Sequence, residues 1–409
     1  MTHKNNIIAV ALTLMATTVV YLSGVTATTF GDDIAFLKRY VDLIVLTDQH
    51  GSAKVAVTAT WQGRVLTSTA RGDEGASFGW INRELIASRK LEPHINTFGG
   101  EDRFWMGPEG GQFSIFFAKG AKFELSDWFT PAPIDTLPFR VASQSSNRVR
   151  FTSAFTLTNY SGTVFDVEVV RDVRLLDGVS GWKHLGLEAV PGVDLVAYES
   201  DNSITNAGKA PWKQESGLLS IWILGMFNPS PATNIVVPIK AGPESELGPK
   251  VTSDYFGTVP PERLAVKNDV IFLSGDGRFR SKIGIGPRRS KGVLGSYDAE
   301  KQVLTIVQFS QPAGVNKYVN SLWRLQDEPY AGDAANAYND GPPAPGAKPL
   351  GPFYELESSS PAAALAPGES LSHRHRTVHL TGAESALDGV ARAVLGVSIA
   401  DIKVALKGR

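Results

Sequence analysis

The chain has 409 residues and a formal net charge of −1 at pH 7, so no overall basic field indicates a nucleic-acid partner. Hydrophobic residues make up 43% and charged residues 20%, which is the usual balance of a folded globular protein. Cysteine is absent, so no disulfide can stabilise the fold and a sizeable core must do so.

The first 27 residues read as a signal peptide. Lys4 gives a positive start, an apolar run follows from Ile7 to Val25, and Val25-Thr26-Ala27 offers small residues for cleavage. The alternative is an uncleaved anchor, because about nineteen apolar residues can nearly span a bilayer. We expect cleavage, no stable membrane insertion afterwards, and a periplasmic or extracellular location.

Three further regions follow in chain order. Residues 28–52 predict an N-terminal helical cap, with a helix from Ile34 to Leu46. Residues 53–382 predict a β domain of short runs separated by Gly, Pro and Asn turns, which favours an antiparallel sandwich. Residues 383–409 predict a helical tail, helical from Ser385 to Leu406. The predicted strands include Val55–Trp61, Gly111–Phe117, Arg150–Leu157, Val164–Leu175, Leu218–Leu224, Asn234–Ile239, Val270–Leu273 and Val303–Phe309.

Ionisable residues concentrate near the C-terminus. Tyr354 to Ser358 alternates apolar and polar residues, so Glu355 and Glu357 project from one face of a strand. After a turn at Pro367-Gly368, a second strand presents three histidines on one face: His373, His375 and His379. Because buried charge must be paired, we expect this region to line a wet cleft.

A second polar segment spans residues 96–112. Arg103 and Trp105 are two residues apart and share a face of an extended segment, with the acids Glu101 and Glu109 nearby. An arginine fork beside an aromatic ring suits a sugar, whose hydroxyls accept from the fork and whose C–H face packs on the ring. The alternative is a structural turn in which Arg103 pairs with Glu101 or Glu109.

Three more polar residues are candidates for substrate binding. Lys317 flanks an apolar strand, and Asn339 and Asp340 precede a Gly- and Pro-rich loop that leads to the glutamate strand. Asn339-Asp340-Gly341 is equally typical of a simple tight turn.

Three motifs carry a resemblance to the galactose mutarotase-like superfamily. They are Gly-Gly-x-x-Arg-x-Trp-x-x-Pro-Glu at 99–109, Ser-Ile-Thr-Asn-Ala-Gly at 203–208, and Leu-x-Pro-Gly-Glu-Ser at 365–370. As a whole the chain resembles a family of uncharacterised secreted bacterial proteins in that superfamily. The resemblance implies an all-β fold, a large antiparallel β-supersandwich whose concave face binds carbohydrate.

The resemblance also implies roles for individual residues. Aldose epimerases of that superfamily use a glutamate as general base and a histidine as general acid. Glu355 or Glu357 falls where the base lies, and Arg103 falls where a sugar-binding arginine lies. The Asn-His-x-Tyr-Phe-Asn segment of the epimerases is missing, so His373, His375 or His379 could replace its histidine as the acid.

The histidine pair also allows a metal site. His373 and His375 lie about 6.6 Å apart along a strand, but His379 is too distant to join the same ion. We therefore predict no metal and no cofactor.

The predicted function is that of an exported carbohydrate-active protein with acid–base chemistry on a sugar, either epimerase-like or glycosidic cleavage. The alternatives are a non-catalytic carbohydrate-binding module and a metal-dependent, cupin-like enzyme.

Overall fold

The computed structural model describes residues 28–407, in which antiparallel strands dominate. The strands, in chain order, are β1 (Leu43–Thr47), β2 (Lys54–Thr58), β3 (Arg64–Thr69), β4 (Arg103–Gly107), β5 (Arg140–Gln144), β6 (Arg148–Thr158), β7 (Val164–Leu175), β8 (Val193–Asn206), β9 (Ser220–Phe227), β10 (Thr233–Pro238), β11 (Leu264–Lys267), β12 (Val270–Ser274), β13 (Ser281–Ile285), β14 (Val293–Asp298), β15 (Val303–Phe309), β16 (Ala335–Asn339), β17 (Tyr354–Ser359) and β18 (Ser370–Gly382). The helices are α1 (Phe30–Leu37), α2 (Arg83–Ser88), α3 (Gly178–His184), α4 (Glu244–Leu247), α5 (Glu384–Leu395) and α6 (Ile399–Val404), with short 3₁₀ turns at Leu125–Asp127 and Ala132–Ile134.

These strands form three antiparallel sheets. A ten-stranded sheet has the order β11-β12-β10-β14-β15-β18-β8-β7-β6-β5, and a five-stranded sheet has the order β13-β16-β17-β9-β4. Strands β1, β2 and β3 make a third, smaller sheet. The predicted all-β class, a large antiparallel β-supersandwich, is confirmed.

The core between the two larger sheets explains why they stack. Leu356 of β17 and Ile283 of β13 pack with Ile271 of β12 and Val307 of β15, and all four are fully buried. Alternation along each strand brings the apolar side chains to one face, and their burial removes apolar surface from water, the main stabilising contribution in such a sandwich.

The helical tail packs on the other face of the ten-stranded sheet. Leu387, Val390 and Leu395 of α5 are buried against strand residues that include Phe272 and Leu304. The predicted single helix from Ser385 to Leu406 is instead two helices. Gly396 adopts a left-handed conformation with φ 71°, which ends α5 and lets the chain turn into α6.

Two other local predictions are corrected. The helix predicted for Ile34 to Leu46 begins at Phe30, because Thr29 and Asp32 form a capping box, and it ends at Leu37. The following Leu43–Thr47 pairs with β2 as a strand.

The run Gly111–Phe117 is a loop and not a strand. Gly111 has a φ of +80°, which interrupts extended backbone. Phe116 and Phe117 are buried because their side chains pack inward from the loop, and not because the segment belongs to a sheet.

No helix within residues 28–407 is long and apolar enough to cross a membrane. The predicted signal peptide, residues 1–27, lies outside the described residues.

Candidate active site

The two glutamates of β17 point away from the ten-stranded sheet, as their alternation predicts. Tyr354 and Ser358 of the same strand face that sheet: the Tyr354 hydroxyl lies 2.8 Å from Ser296 Oγ of β14, and Ser358 Oγ lies 2.8 Å from His373 Nε2 of β18. Glu355 and Glu357 therefore lie on the opposite face of the five-stranded sheet.

That face carries a cleft of about 250 Å³. All five strands of the smaller sheet or their ends contribute to it, and connecting loops complete its walls. Its lining residues are His94, Ile95, Arg103, Trp105, Glu109, Leu125, Trp128, Trp222, Leu224, Met226, Phe256, Arg280, Lys282, Trp323, Tyr338, Asp340, Gly341, Pro343, Lys348, Leu350, Phe353 and Glu355.

Arg103 and Glu355 form the polar centre of the cleft. Arg103 Nη2 is 3.5 Å from Glu355 Oε1, and the two side chains are only 3% and 7% exposed. The guanidinium lies 4.1 Å above the ring of Trp105, which confirms that these two residues share a face. Arg103 Nε and Nη1 are both buried and have no hydrogen-bond partner among residues 28–407, so their N–H groups are unsatisfied.

The protonation state of Glu355 is shifted strongly. Burial raises its pKa to about 8, the nearby charge of Glu357 adds to the rise, and Arg103 and Lys282 oppose it. A carboxyl group with this pKa holds its proton over much of the neutral range and can both donate and accept one. Burial also raises the pKa of Glu109 and of Asp340.

Glu357 lies beneath the cleft and is paired. Its Oε2 accepts hydrogen bonds from Lys282 Nζ at 3.1 Å and from Trp222 Nε1 at 2.9 Å. Burial by itself would lower the pKa of Lys282, but the carboxylates of Glu357, Glu109 and Glu355 raise it, so Lys282 stays a cation. Of the two glutamates, Glu355 is thus the one that faces the cleft, whereas Glu357 holds Lys282 and Trp222 in place.

Tryptophan rings build the walls of the cleft. Trp105 contacts Trp222 edge to face at 5.6 Å, and Trp128 stacks on Trp323 at 5.9 Å. Trp222 belongs to both the core and the wall of the cleft. Flat aromatic faces beside buried polar groups are the usual surroundings of a ligand that has both C–H and hydroxyl groups.

The three histidines of β18 are not part of the cleft. His373 Nε2 and His375 Nδ1 each lie 2.8 Å from Ser358 Oγ, and both rings are buried between the sheets. Burial lowers the pKa of His373 to about 3 and that of His375 to about 4, so both are neutral near pH 7. The expected wet surface on this strand is therefore corrected: neutral histidines need no pairing charge, and a dry interior accommodates them.

His379 and Glu101 are in contact with each other, and both are buried in the interior. His379 Nε2 is 3.1 Å from Glu101 Oε2, the ring stacks on Phe78, and Glu101 also accepts from the backbone N–H and hydroxyl of Ser68. Neither side chain lines the cleft.

Of the remaining candidates, Asp340 lies in the cleft, whereas Asn339 and Lys317 do not. Asp340 lines the cleft, and its two oxygens accept from the Tyr338 hydroxyl and the Gly351 N–H, both at 2.8 Å. Asn339 is buried at the end of β16, where its Oδ1 accepts a hydrogen bond from the Gly277 N–H. Lys317 is exposed away from the cleft and donates to Gln214 at 2.8 Å.

Sequence reasoning missed Lys282 and Trp128. Lys282 is a single lysine in a strand. It meets Glu357 because the fold places β13 close to β17, with only β16 between them. Trp128 follows a 3₁₀ turn in a loop, and no periodicity marks it. Within residues 28–407 no group of three His, Cys, Asp or Glu side chains could hold a metal ion.

Solved structures similar to this chain include the Slr1438 protein of Synechocystis sp. PCC 6803, at 14% identity, covering 84% of this chain and 98% of that one with a TM-score of 0.48. A galactose mutarotase-like protein of Lactobacillus casei ATCC 334 matches at 10% identity over 83% and 100% of the two chains, TM-score 0.46. Another galactose mutarotase-like protein, of Clostridium acetobutylicum, matches at 11% identity over 84% and 100%, TM-score 0.44.

No curated protein matches the sequence. Residues 28–406 match a family that is described as a family of unknown function, DUF6786. Since the match extends over nearly all of the β domain and its flanking helices, the chain belongs to this family.

Proposed function

We propose that the cleft binds a carbohydrate and that Glu355 transfers a proton during a reaction of that sugar. The observation that carries the proposal is the buried Arg103–Glu355 pair, which faces an aromatic-walled cleft and in which two guanidinium nitrogens have no partner within the described part of the chain. Buried polar groups normally find partners, and a ligand hydroxyl would supply them here.

The cleft offers a sugar both kinds of contact that it needs. Arg103 and Lys282 are donors to hydroxyl oxygens, and Glu109 and Asp340 are acceptors from hydroxyl hydrogens. Trp105 and Trp323 present ring surface on which the C–H face of a pyranose packs.

Glu355 has the properties of a proton carrier in such a site. In anomer exchange, a base removes the proton of the hemiacetal hydroxyl and an acid protonates the ring oxygen. The bond between the anomeric carbon and the ring oxygen then breaks and a carbonyl forms. The pKa of Glu355, raised to about 8 by burial, suits the acid, because such a group is protonated near pH 7 and gives its proton readily.

Glu109 is the partner that we assign as base. Each oxygen of Asp340 already accepts a hydrogen bond from the protein, so Asp340 is better suited to hold a hydroxyl than to take a proton. The same two glutamates could instead protonate a glycosidic oxygen and activate water, which would cleave a glycosidic bond.

One experiment tests the proposal and separates these outcomes. Glu355→Gln is compared with wild type and with Glu168→Gln, an exposed control on the ten-stranded sheet. Calorimetry measures sugar binding, NMR exchange between anomers measures epimerase activity, and release of reducing ends measures cleavage. We expect Glu355→Gln to bind but to lose turnover by about 100-fold or more, and the control to behave as wild type.

Two results would change the conclusion. Sugar binding without turnover in wild type would identify a non-catalytic carbohydrate-binding module. Absence of binding for every sugar tested would contradict the proposal as a whole.

Export of the protein is a second part of the proposal, and it depends on the sequence of residues 1–27 alone. Mass spectrometry of protein purified from its native host would test it, and a mature chain that begins near Thr28 is the expected result. An intact N-terminus would favour a retained anchor.

A further inference from the structure

Three large apolar side chains are exposed around the mouth of the cleft. Leu125, Phe256 and Leu350 are 54%, 38% and 44% exposed, and all three line it. They come from three separate segments: the 3₁₀ turn after β4, the loop between α4 and β11, and the loop between β16 and β17. Apolar side chains that converge from distant segments onto one opening mark a surface that an apolar group covers.

The cleft is therefore divided by depth. Its floor on the five-stranded sheet holds the buried polar side chains of Arg103, Lys282 and Glu355. Its rim holds Leu125, Phe256 and Leu350. We call these three side chains the apolar rim. Arg280 sits 3.8 Å above the Phe256 ring, a cation–π contact at the rim.

A free monosaccharide matches only half of this arrangement. Its hydroxyls project from every side, so a sugar that paired with the floor would either leave the apolar rim in water or press hydroxyls against it. A hydroxyl that loses water without gaining a hydrogen bond costs free energy. A ligand with one polar end and one apolar end avoids that cost.

We infer that the cleft is built for an aryl glycoside, with the sugar ring over Arg103 and Glu355 and the aryl group between the residues of the apolar rim. Phe256 and Trp128 favour an aryl over an alkyl group, because aromatic pairs gain more than their buried area. This inference rests on the cleavage form of the proposed function, because a glycoside has no hemiacetal hydroxyl and cannot undergo anomer exchange.

The test compares methyl and phenyl glycosides of glucose, galactose, mannose and xylose, both anomers of each, by calorimetry with the intact protein. For the sugar that binds, the phenyl glycoside should bind about tenfold tighter than the methyl glycoside, because the aryl group buries apolar surface on the rim. Equal affinities for the two would overturn the inference and leave the proposed function standing. Failure of all these glycosides to bind would also overturn the inference, and the proposed function would be contradicted only if the free sugars failed to bind as well.

Rim variants locate the preference. The double variant Leu125→Ser and Leu350→Ser alters exposed side chains, so the fold should tolerate it, and the phenyl preference should fall to about twofold or less. Leu91→Ser is the matched control: Leu91 is 65% exposed and lies outside the cleft, so the preference should stay at its wild-type value. A phenyl preference that survives the double variant would overturn the assignment of the aryl group to the apolar rim.

Discussion

Two regions of this protein concentrate ionisable side chains, and they differ in what surrounds them. In the cleft, the Arg103 guanidinium lies over the Trp105 ring beside Glu355, and two of its nitrogens have no protein partner among residues 28–407. Between the sheets, His373, His375 and His379 bond to Ser358, Thr305 and Glu101 and are closed off from solvent. We call these three histidines and Glu101 the histidine layer.

A dense run of ionisable residues therefore does not by itself mark a functional site. Histidine tolerates a dry interior because it can become neutral, whereas the guanidinium of Arg103 stays charged and needs a partner. The contribution of the buried histidines to stability falls in acid, whereas that of Glu355 falls as pH rises, and four experiments test this contrast.

The largest effect is expected from acid acting on the histidine layer. Burial lowers the pKa of His373 to about 3 and of His375 to about 4, against 6.5 for the free side chain. Their contribution to stability is present above pH 6.5 and is lost as pH falls towards 4, on the order of 3 kcal/mol for each histidine. Urea unfolding from pH 7 to 4 should show this loss.

A matched pair of variants assigns that loss. His375→Gln should flatten the acid limb, because glutamine has no proton to gain. His50→Asn changes an exposed histidine and should leave the limb as it is in wild type. An acid limb of unchanged steepness in His375→Gln would mean that the ring is already accessible to protons in the native state.

The next largest effect is expected at Glu357. Removing its charge in Glu357→Gln leaves the Lys282 cation buried without its partner, which should lower the free energy of unfolding by about 3–5 kcal/mol. Replacing both partners, as in Glu357→Gln with Lys282→Met, should recover part of the loss. A loss below about 1 kcal/mol in the single variant would indicate that Lys282 reaches water in the cleft.

An effect of similar size, with the opposite pH dependence, is expected at Glu355. Its pKa rises from 4.5 to about 8 on folding, so its contribution to stability is present below pH 4.5 and is lost as pH rises to 8. Glu355→Gln should lack this slope, and the stability difference between variant and wild type should shift in favour of the variant from pH 5 to 9. Parallel curves would contradict the raised pKa.

The smallest effect is expected at Lys317. The sequence predicts it as a substrate-binding residue, but it is exposed, outside the cleft and bonded to Gln214. Lys317→Ala should change the free energy of unfolding by about 0.5 kcal/mol or less and leave sugar affinity unchanged. A clear loss of sugar affinity would place a second contact region outside the cleft.

Local chemistry allowed several features to be predicted correctly. Val164–Leu175 and Val303–Phe309 are strands with the predicted bounds, because alternation of apolar and polar residues is a property of neighbouring residues alone. The shared faces of Glu355 with Glu357, and of Arg103 with Trp105, follow from the same two-residue period.

The sequence by itself therefore determined which side chains share a face, and the tertiary structure decided what that face meets. Glu355 faces open volume because loops leave room above β17, whereas Glu357, two residues on, meets Lys282 from a strand that is distant in sequence. The histidines of β18 are interior because β17 supplies Ser358 from the opposite sheet. Burial and pairing of this kind depend on contacts between segments far apart in the chain, and no local pattern encodes them.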